Sequence, residues 1–336
     1  MRSIICVALI NHVCRTVRAL RAESAVVRAL RRVRGPAPLC AVDEYAWEEN
    51  TIRCACDGPE GGPPLLLLHG FGSSLETWRD NVPALAEAGY RCHRLDLLGL
   101  GLSEKAPGAY SIGRWADQVE HYIDERVGAP VVLVGNSIGS LVSLEVAARS
   151  PELVRGVLLN NCAGGMNSKF AAFDEDLPAA TRAIASVAFG FVDWLLSFKG
   201  LARSLFDGIR SEENVRAALQ QVYTKNPSRV DDLIVESTIK PAEDPAALDV
   251  FVEILTGDPG PRPADLVPRV EAPIHCHWGD ADEITPLRGP TGQLFRDLAA
   301  KGKCSLTVAE GVGHVPHDDS PSTANADFIA WLGTLK

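Results

Sequence analysis

The sequence lacks the features of a disulfide-stapled, glycosylated or repeat protein. Its nine cysteines include no Cys-x-x-Cys pair, no Asn-x-Ser/Thr acceptor site occurs, and no internal repeat is visible. An odd number of irregularly spaced cysteines favours free thiols in a reducing compartment. Cys54 and Cys56 stand two apart on a predicted strand, which places them on one face as core thiols rather than metal ligands.

An excess of positive charge is also absent. The 336 residues include 33 basic and 43 acidic side chains, for a formal net charge of −10. Such a chain repels a phosphate backbone, which excludes the nucleic-acid binders. Apolar residues make up 46% and charged residues 23%, as in globular proteins, so the bulk of the chain is not intrinsically disordered.

Acidic residues are nearly missing from the first 40 positions. This leader contains eight Arg and a single acid, Glu23, so it carries +7 and leaves −17 for the rest of the chain. An Arg-rich, Ala-rich and acid-poor leader is typical of an organellar transit peptide. Two alternatives stay open: a basic surface helix or tail, and a secretory signal, for which the apolar run 4–10 has the minimum length. We predict a transit peptide over residues 1–40.

Apolar runs without polar alternation predict buried parallel strands. They lie at residues 65–68, 131–134 and 154–159, and helical patterns such as residues 138–149 stand between them. This alternation predicts an α/β fold with a mostly parallel central sheet and helices on both faces.

The alternation is interrupted once. Residues 164–268 contain helical stretches and no convincing strand, and strand–helix alternation resumes at residue 274. The sequence therefore predicts a sheet core formed by residues 41–163 and 269–336, with residues 164–268 inserted as a helical lid.

A candidate nucleophile follows the apolar run 131–134. Residues 135–139 read Gly-Asn-Ser-Ile-Gly, which matches Gly-x-Ser-x-Gly, and a predicted helix follows directly. A strand–turn–helix setting is what a nucleophile elbow needs, since it lifts the hydroxyl of Ser137 clear of the sheet. The alternative is an ordinary turn in which Ser137 is a helix N-cap.

A nucleophilic serine needs a base, and the base needs an orienting acid. Asp282 and His314 both follow predicted strands, and they stand in the order Ser, acid, His that accompanies a Gly-x-Ser-x-Gly elbow. Asp280 and Glu283 are competitors for the acid, and His317 is a competitor for the base that we interpret as a rim or surface histidine.

Two backbone amides are candidates for an oxyanion hole. Ile138 follows the serine at the start of a helix, and Phe71 lies in the first strand-to-helix loop, where residues 69–72 read His-Gly-Phe-Gly. His69 is expected to buttress this loop rather than to act as a base.

Together, five motifs resemble the α/β-hydrolase superfamily over residues 45–335. They are residues 69–72, 96–103 (DLLGLGLS), 135–139, 279–286 and 313–314. The resemblance implies the α/β-hydrolase fold, the triad Ser137–Asp282–His314 and no metal or organic cofactor. It also implies a structural role for residues 96–103. Dehalogenases and epoxide hydrolases of this superfamily use Asp at the elbow, and Ser137 argues against both.

Two further segments are similar to the chloroplast branch that contains chlorophyll dephytylase and pheophytinase. They are residues 158–167 (LLNNCAGGMN) and 248–263 (LDVFVEILTGDPGPRP). The elbow differs from the commoner Gly-Asn-Ser-Leu-Gly-Gly form at Ile138 and Ser140. This resemblance implies hydrolysis of the phytyl ester of chlorophyll or a related pigment. It agrees with the leader in favouring the chloroplast stroma or thylakoid surface over the mitochondrion.

The predicted lid contains an apolar stretch at residues 183–206. Asp193, Lys199 and Arg203 interrupt it and leave apolar runs that are too short for a membrane span. It is either a lid helix packed on the core, or a wall for an apolar substrate with peripheral thylakoid contact. The candidate wall residues are Phe189, Phe191, Trp194, Leu195 and Phe198.

The sequence thus predicts a serine carboxylester hydrolase acting on an apolar ester such as chlorophyll. Two alternatives remain: a hydrolase of other lipid or small esters or of C–C bonds, and a ligand-binding protein on the same fold without turnover.

Overall fold

The computed structural model describes residues 42–167, 169 and 179–335 and is built around an eight-stranded sheet. The predicted leader, residues 1–40, lies outside these residues. The strands are β1 (Asp43–Trp47), β2 (Asn50–Asp57), β3 (Pro64–Leu68), β4 (Arg91–Leu95), β5 (Val131–Asn136), β6 (Val154–Asn160), β7 (Ile274–Gly279) and β8 (Ser305–Ala309).

The sheet order is β1-β2-β4-β3-β5-β6-β7-β8. The β1–β2 and β2–β4 pairs are antiparallel, and every pair from β4 to β8 is parallel. The carboxyl ends of β3, β5, β6, β7 and β8 therefore meet at one edge, where open parallel sheets place their sites. This confirms the predicted mostly parallel sheet.

The described helices alternate with the strands before and after β6. They are α1 (Asn81–Glu87), α2 (Ile112–Tyr122), α3 (Ile138–Arg149), α4 (Ala179–Leu196), α5 (Lys199–Ile209), α6 (Glu212–Val222), α7 (Asp232–Ala242), α8 (Ala247–Thr256), α9 (Pro263–Leu266), α10 (Pro290–Ala300), α11 (Pro316–Asp319) and α12 (Pro321–Leu332).

The apolar run in β3 explains why helices cover both faces of the sheet. Leu65 and Leu67 pack with residues of α1 and α12 on one face. Leu66 and Leu68 point the other way and join the larger cluster that includes α2 and α3. Because successive strand residues face opposite sides, a continuous apolar strand needs a layer on each.

Helix α2 changes type before it ends. An amphipathic pattern in the sequence predicts one helix over residues 112–127, whereas the α-helix ends at Tyr122 and a π-helical turn continues over Ile123–Val127. Gly128 then ends it with φ of +66°, a conformation that favours glycine.

Between β6 and β7 the described residues form helices α4–α9 and no strand. We call α4–α8 the insert. One apolar cluster, which includes Leu196, Phe206 and Leu248, consists of insert residues alone. A second cluster, which includes Tyr223 and Ile234, also takes in Val315, next to His314. The insert therefore has a core of its own and a second one shared with the sheet domain.

Over the described ranges, no single helix is both long and apolar enough to cross a membrane. Helices α4 and α5 reach the required length and composition together, but they meet at an angle of 98°.

Candidate active site

Ser137 has the backbone conformation of a strained elbow. It lies between β5 and α3 with φ of 55° and ψ of −118°. A positive φ in a residue other than glycine is costly and persists only where the surroundings impose it. Its side chain makes no N-cap hydrogen bond. The hydroxyl is thus available at the carboxyl edge of the sheet rather than used to cap α3.

The glycines on each side of Ser137 are required by close backbone contacts. A Cβ atom at Gly135 would lie 2.4 Å from the carbonyl of Gly139. A Cβ atom at Gly139 would lie 2.4 Å from the carbonyl oxygen of Leu68 in β3. Only residues without a side chain let α3 begin this close to β5 and β3, which gives the Gly-x-Ser-x-Gly spacing its structural reason.

Asp282 is buried and fully hydrogen-bonded in the loop after β7. Its Oδ2 lies 2.9 Å from His314 Nδ1 and accepts from Thr285 Oγ1 at 2.6 Å, and its Oδ1 accepts from the Ile284 amide at 2.7 Å. Burial raises the pKa of Asp282, but the His314 ring and the Thr285 hydrogen bonds outweigh it and lower the pKa to about 2. Asp282 is therefore ionised at neutral pH.

His314 lies in the loop after β8 with one ring nitrogen committed to Asp282. Because a carboxylate can only accept, Nδ1 donates and Nε2 is left as the basic nitrogen. Ser137 and His314 line one cavity, which we call the Ser137 cavity, of about 240 Å³. Within the described chain no hydrogen bond joins the Ser137 hydroxyl to the His314 ring. Hydrogen bonds between catalytic groups are often long or poorly aligned before substrate binds.

Two buried asparagines connect the loops that carry Ser137, Asp282 and His314, and the sequence analysis assigned a role to neither. Asn161 donates from Nδ2 to Asp282 Oδ2 at 2.5 Å and to the Gly313 carbonyl at 3.2 Å. Asn136, which precedes Ser137, donates to the His314 carbonyl at 3.0 Å. The sequence holds one indication of their importance, which is where they stand: Asn136 is the last residue of an apolar strand, and Asn161 directly follows another.

The competing residues lie apart from these contacts. Asp280 is exposed and accepts from the Gly311 amide at 2.7 Å, so it shapes the loop. Glu283 is exposed as well. The expectation that His317 is a rim or surface histidine is wrong: it is fully buried and stacks on Trp78, with ring centroids 4.0 Å apart. Burial lowers the pKa of His317 well below its usual range.

Two backbone N–H groups next to Ser137 are free to bind an oxyanion. In the part of the chain that the structure describes, neither the Phe71 nor the Ile138 amide donates to a protein acceptor. A Cβ atom at Gly70 would lie 3.2 Å from Ser137 Cβ, so the loop that carries Phe71 passes directly beside the serine. The geometry suits oxyanion donors from two different loops.

Buried side chains hold the first loop in place. His69 Nε2 accepts from the Leu97 amide at 3.1 Å, so its Nδ1 donates to the Gly70 carbonyl at 2.8 Å. Asp96 accepts from the Leu75 and Leu102 amides at 2.7 and 2.8 Å. These contacts give His69 the buttressing position expected from the sequence and make residues 96–103 a structural loop.

The His314 loop is bonded to the insert. The His314 amide donates to the Val222 carbonyl at 3.0 Å. Asp319 accepts from Gly313 in the loop at 2.9 Å and from Asn226 in the insert at 2.7 Å. The backbone around the candidate base is thus fixed by both parts of the molecule.

A buried ion-pair network lies behind this contact. Asp318 is fully buried and accepts from Tyr223 Oη at 2.6 Å and from Arg79 Nε at 3.2 Å, and it also pairs with Arg229. Arg79 in turn binds both oxygens of Asp231 at 2.8 and 2.7 Å. Each charge has a partner, so the network joins insert and core without an unpaired buried charge.

The five predicted wall residues do not line the Ser137 cavity. Phe191, Trp194 and Phe198 are about half exposed, at 56%, 55% and 49%. Phe189 and Leu195 are partly buried in the same helix. The insert residues that do line the cavity belong to α6, its C-cap and α7: Leu219, Val222, Tyr223, Ile234, Ser237 and Thr238.

Comparison with known proteins identifies the family. Residues 65–328 match the profile of the Alpha/beta hydrolase family. The chain belongs to the α/β hydrolase family. The sheet order, the elbow at Ser137 and the Asp282–His314 pair are consistent with that membership, and the predicted fold is confirmed.

Individual relatives are more distant. The chain is 25% identical to the chloroplastic pheophytinase of Arabidopsis thaliana over 320 residues, 84% of this chain and 64% of that protein. It thus spans less than two thirds of that relative. It is 31% identical to the 2-hydroxymuconate semialdehyde hydrolase of Pseudomonas sp. strain CF600 over 54% of this chain and 75% of that protein. The fold is also similar to that of a solved bacterial membrane phospholipase A, with a TM-score of 0.64 and 23% identity over 88% and 86% of the two chains.

The lowered pKa of Asp282 predicts a pH-dependent contribution to stability. Because the pKa is lower in the folded than in the unfolded chain, ionised Asp282 stabilises the fold above pH 4, and this contribution disappears as the pH falls towards 2. Asp282→Asn should lower the free energy of unfolding by about 2 kcal/mol at pH 7 and by progressively less below pH 4. Urea unfolding of both proteins between pH 2.5 and 7 measures this.

Glu283→Gln is the matched control, since it neutralises the exposed carboxylate next in the chain. It should follow the wild-type curve. A penalty for Asp282→Asn that stays constant across this pH range would contradict the linkage.

Proposed function

We propose that the protein is a serine carboxylester hydrolase with Ser137 as nucleophile, His314 as general base and Asp282 as the orienting acid. The observation that carries the proposal is geometric. Ser137 stands on a strained elbow in the same cavity as His314, whose other ring nitrogen is hydrogen-bonded to the buried Asp282 carboxylate. An imidazole held in this tautomer is prepared to take a proton from a hydroxyl.

In the acylation step, Ser137 Oγ attacks the ester carbonyl carbon and its proton passes to His314 Nε2. The carbonyl oxygen becomes an oxyanion, to which the Phe71 and Ile138 amides donate. Asp282 stabilises the positive charge on the ring. Collapse of the tetrahedral intermediate breaks the bond to the alcohol oxygen, and His314 returns the proton to that oxygen.

In the deacylation step, a water molecule replaces the alcohol. His314 Nε2 takes a proton from this water, and the resulting hydroxide attacks the acyl carbon bound to Ser137 Oγ. The bond to Oγ breaks, the acid leaves, and the proton returns from His314 to Ser137.

We further propose the phytyl ester of chlorophyll or a related pigment as the substrate, with chlorophyllide and phytol as products. Support comes from the likeness to a chloroplastic pheophytinase and from the apolar lining of the Ser137 cavity. The second candidate is hydrolysis of a C–C bond, the alternative that the sequence left open, and the likeness to a 2-hydroxymuconate semialdehyde hydrolase provides a substrate with which to test it.

The proposed location is the chloroplast, at the stromal surface of the thylakoid membrane. The Arg-rich leader supports import. Helices α4 and α5 expose an apolar face that includes a stacked pair, Phe191 and Trp194, with ring centroids 5.6 Å apart. Exposed Lys199 and Arg203 flank this face, as in helices that lie in a lipid interface. Because the whole chain is acidic, binding would depend on apolar insertion rather than on charge.

Replacing the proposed nucleophile should abolish turnover without unfolding the protein. We expect Ser137→Ala to lower kcat for p-nitrophenyl ester hydrolysis by about 10⁴-fold or more and to end labelling by a fluorophosphonate probe. The thermal melt should stay nearly unchanged, because the substitution removes one hydroxyl. Ser237→Ala, a second hydroxyl of the same cavity, is the control and should keep both labelling and activity. Full activity in Ser137→Ala would contradict the assignment of Ser137 as the nucleophile.

A substrate panel separates the candidate reactions. Purified protein is incubated with chlorophyll a, pheophytin a, short p-nitrophenyl esters and 2-hydroxymuconate semialdehyde, and products are resolved by chromatography. Release of chlorophyllide or pheophorbide is the expected result. Cleavage of short esters alone would defeat the pigment assignment, and cleavage of the semialdehyde alone would favour the C–C hydrolase.

Import into isolated chloroplasts tests the location. The full chain should become protease-protected and sediment with thylakoid membranes after lysis, whereas a chain without residues 1–40 should stay outside. The double substitution Phe191→Ser and Trp194→Ser should leave import intact but move the protein to the stromal fraction. Failure of the full chain to enter would contradict the transit peptide, and an unchanged membrane fraction would contradict lipid contact.

A further inference from the structure

A second cavity adjoins the Ser137 cavity, and we call it the side cavity. It measures about 90 Å³ and lies between the loops at residues 71–73 and 99–101 and the insert helices α5, α7 and α8. The two cavities share residues 71–73 and Thr238. The loop after β3 is therefore a wall common to both.

The side cavity presents hydrocarbon to any occupant. Its apolar lining residues include Leu100, Phe206, Val250, Phe251 and Ile254. Lys105 brings a charged group, but its amine donates to the carbonyls of Gly101 and Ser103 at 2.7 Å each. Because these hydrogen bonds already engage the amine, the lining favours an aliphatic ligand over a polar one.

Phe71 connects the side cavity to the chemistry at Ser137. Its amide is a proposed oxyanion donor, and its ring lies 6.0 Å from that of Phe251, which packs 5.2 Å from Phe206. An ester carbonyl bound by the Phe71 amide would thus lie beside the wall that the two cavities share. A chain attached to that ester has apolar surface directly beside it.

We infer that the side cavity binds the first carbons of the aliphatic chain of the ester cleaved at Ser137. The inference rests on the proposed esterase function and adds the place where the chain binds: the side cavity would take a linear or methyl-branched chain, on either the acyl or the alcohol side of the ester. Each methylene buried there should raise kcat/KM by about fourfold.

Filling the side cavity tests the inference. Ala242 lines the side cavity and not the Ser137 cavity, so Ala242→Phe should occupy the space for the chain. We expect kcat/KM for an eight-carbon ester to fall at least about 20-fold, mainly through KM, while that for p-nitrophenyl acetate stays within about twofold. Comparing p-nitrophenyl octanoate with octyl acetate shows whether the acyl or the alcohol chain is bound.

Two further variants make the result decisive. Ala300→Phe adds the same ring at the exposed end of α10 and should leave chain-length preference unchanged. Phe251→Ala enlarges the side cavity and should shift the preference towards methyl-branched chains. It also decides the question if the melting temperature shows that Ala242→Phe is unfolded.

The outcomes separate the two proposals. If the wild-type protein hydrolyses no ester, the proposed function fails. If it hydrolyses esters but Ala242→Phe lowers the acetate and octanoate rates equally, or Phe251→Ala leaves chain preference unchanged, then the side-cavity inference alone is overturned.

Discussion

The close approach of helix α3 to strands β3 and β5 is the constraint on which the rest of the site depends. Two glycines without room for a Cβ atom let the helix start against the carbonyls of the sheet. Ser137 is then forced to a positive φ, and its hydroxyl is left uncommitted. The energy needed to hold this conformation comes from the buried packing of both strands, so the strained backbone of one residue is supported by the whole sheet.

The Asp282–His314 pair is organised by amide and hydroxyl donors of the protein, all of which bond to Asp282. Asp282 is buried, yet it stays ionised because it accepts several hydrogen bonds besides that of His314. Because its hydrogen bonds hold it in place, the Asp282 carboxylate needs to reorganise little when positive charge develops on the imidazole ring. Such preorganised groups stabilise charge most effectively at buried positions. Asn161 donates both to Asp282 and to the carbonyl of Gly313, which directly precedes His314, so it ties the two loops to each other.

Local features of the sequence were enough to predict the fold. Apolar runs, glycine spacing and chain order are short-range signals, and they placed Ser137, Asp282 and His314 at one edge of the sheet, where the structure also has them. Features that depend on contacts between residues far apart in the chain could not be predicted. His317 is buried because Trp78, far away in the chain, stacks on it. The pattern of residues 183–206 revealed an apolar face, but not that the face points away from the Ser137 cavity, because orientation depends on the packing of α5 against α8.

The paired charges between insert and core have a consequence for how a bulky molecule reaches Ser137. On the Tyr223 and Arg229 side, removing the insert from the core would expose Asp318 and Arg79 and separate several charged partners at once. The apolar cluster on the α4–α5 side consists of insert residues alone. Moving the insert away from the core therefore breaks more ion pairs beside His314 than beside Phe191 and Trp194, so an opening for a bulky molecule costs less free energy on the side of the aromatic pair.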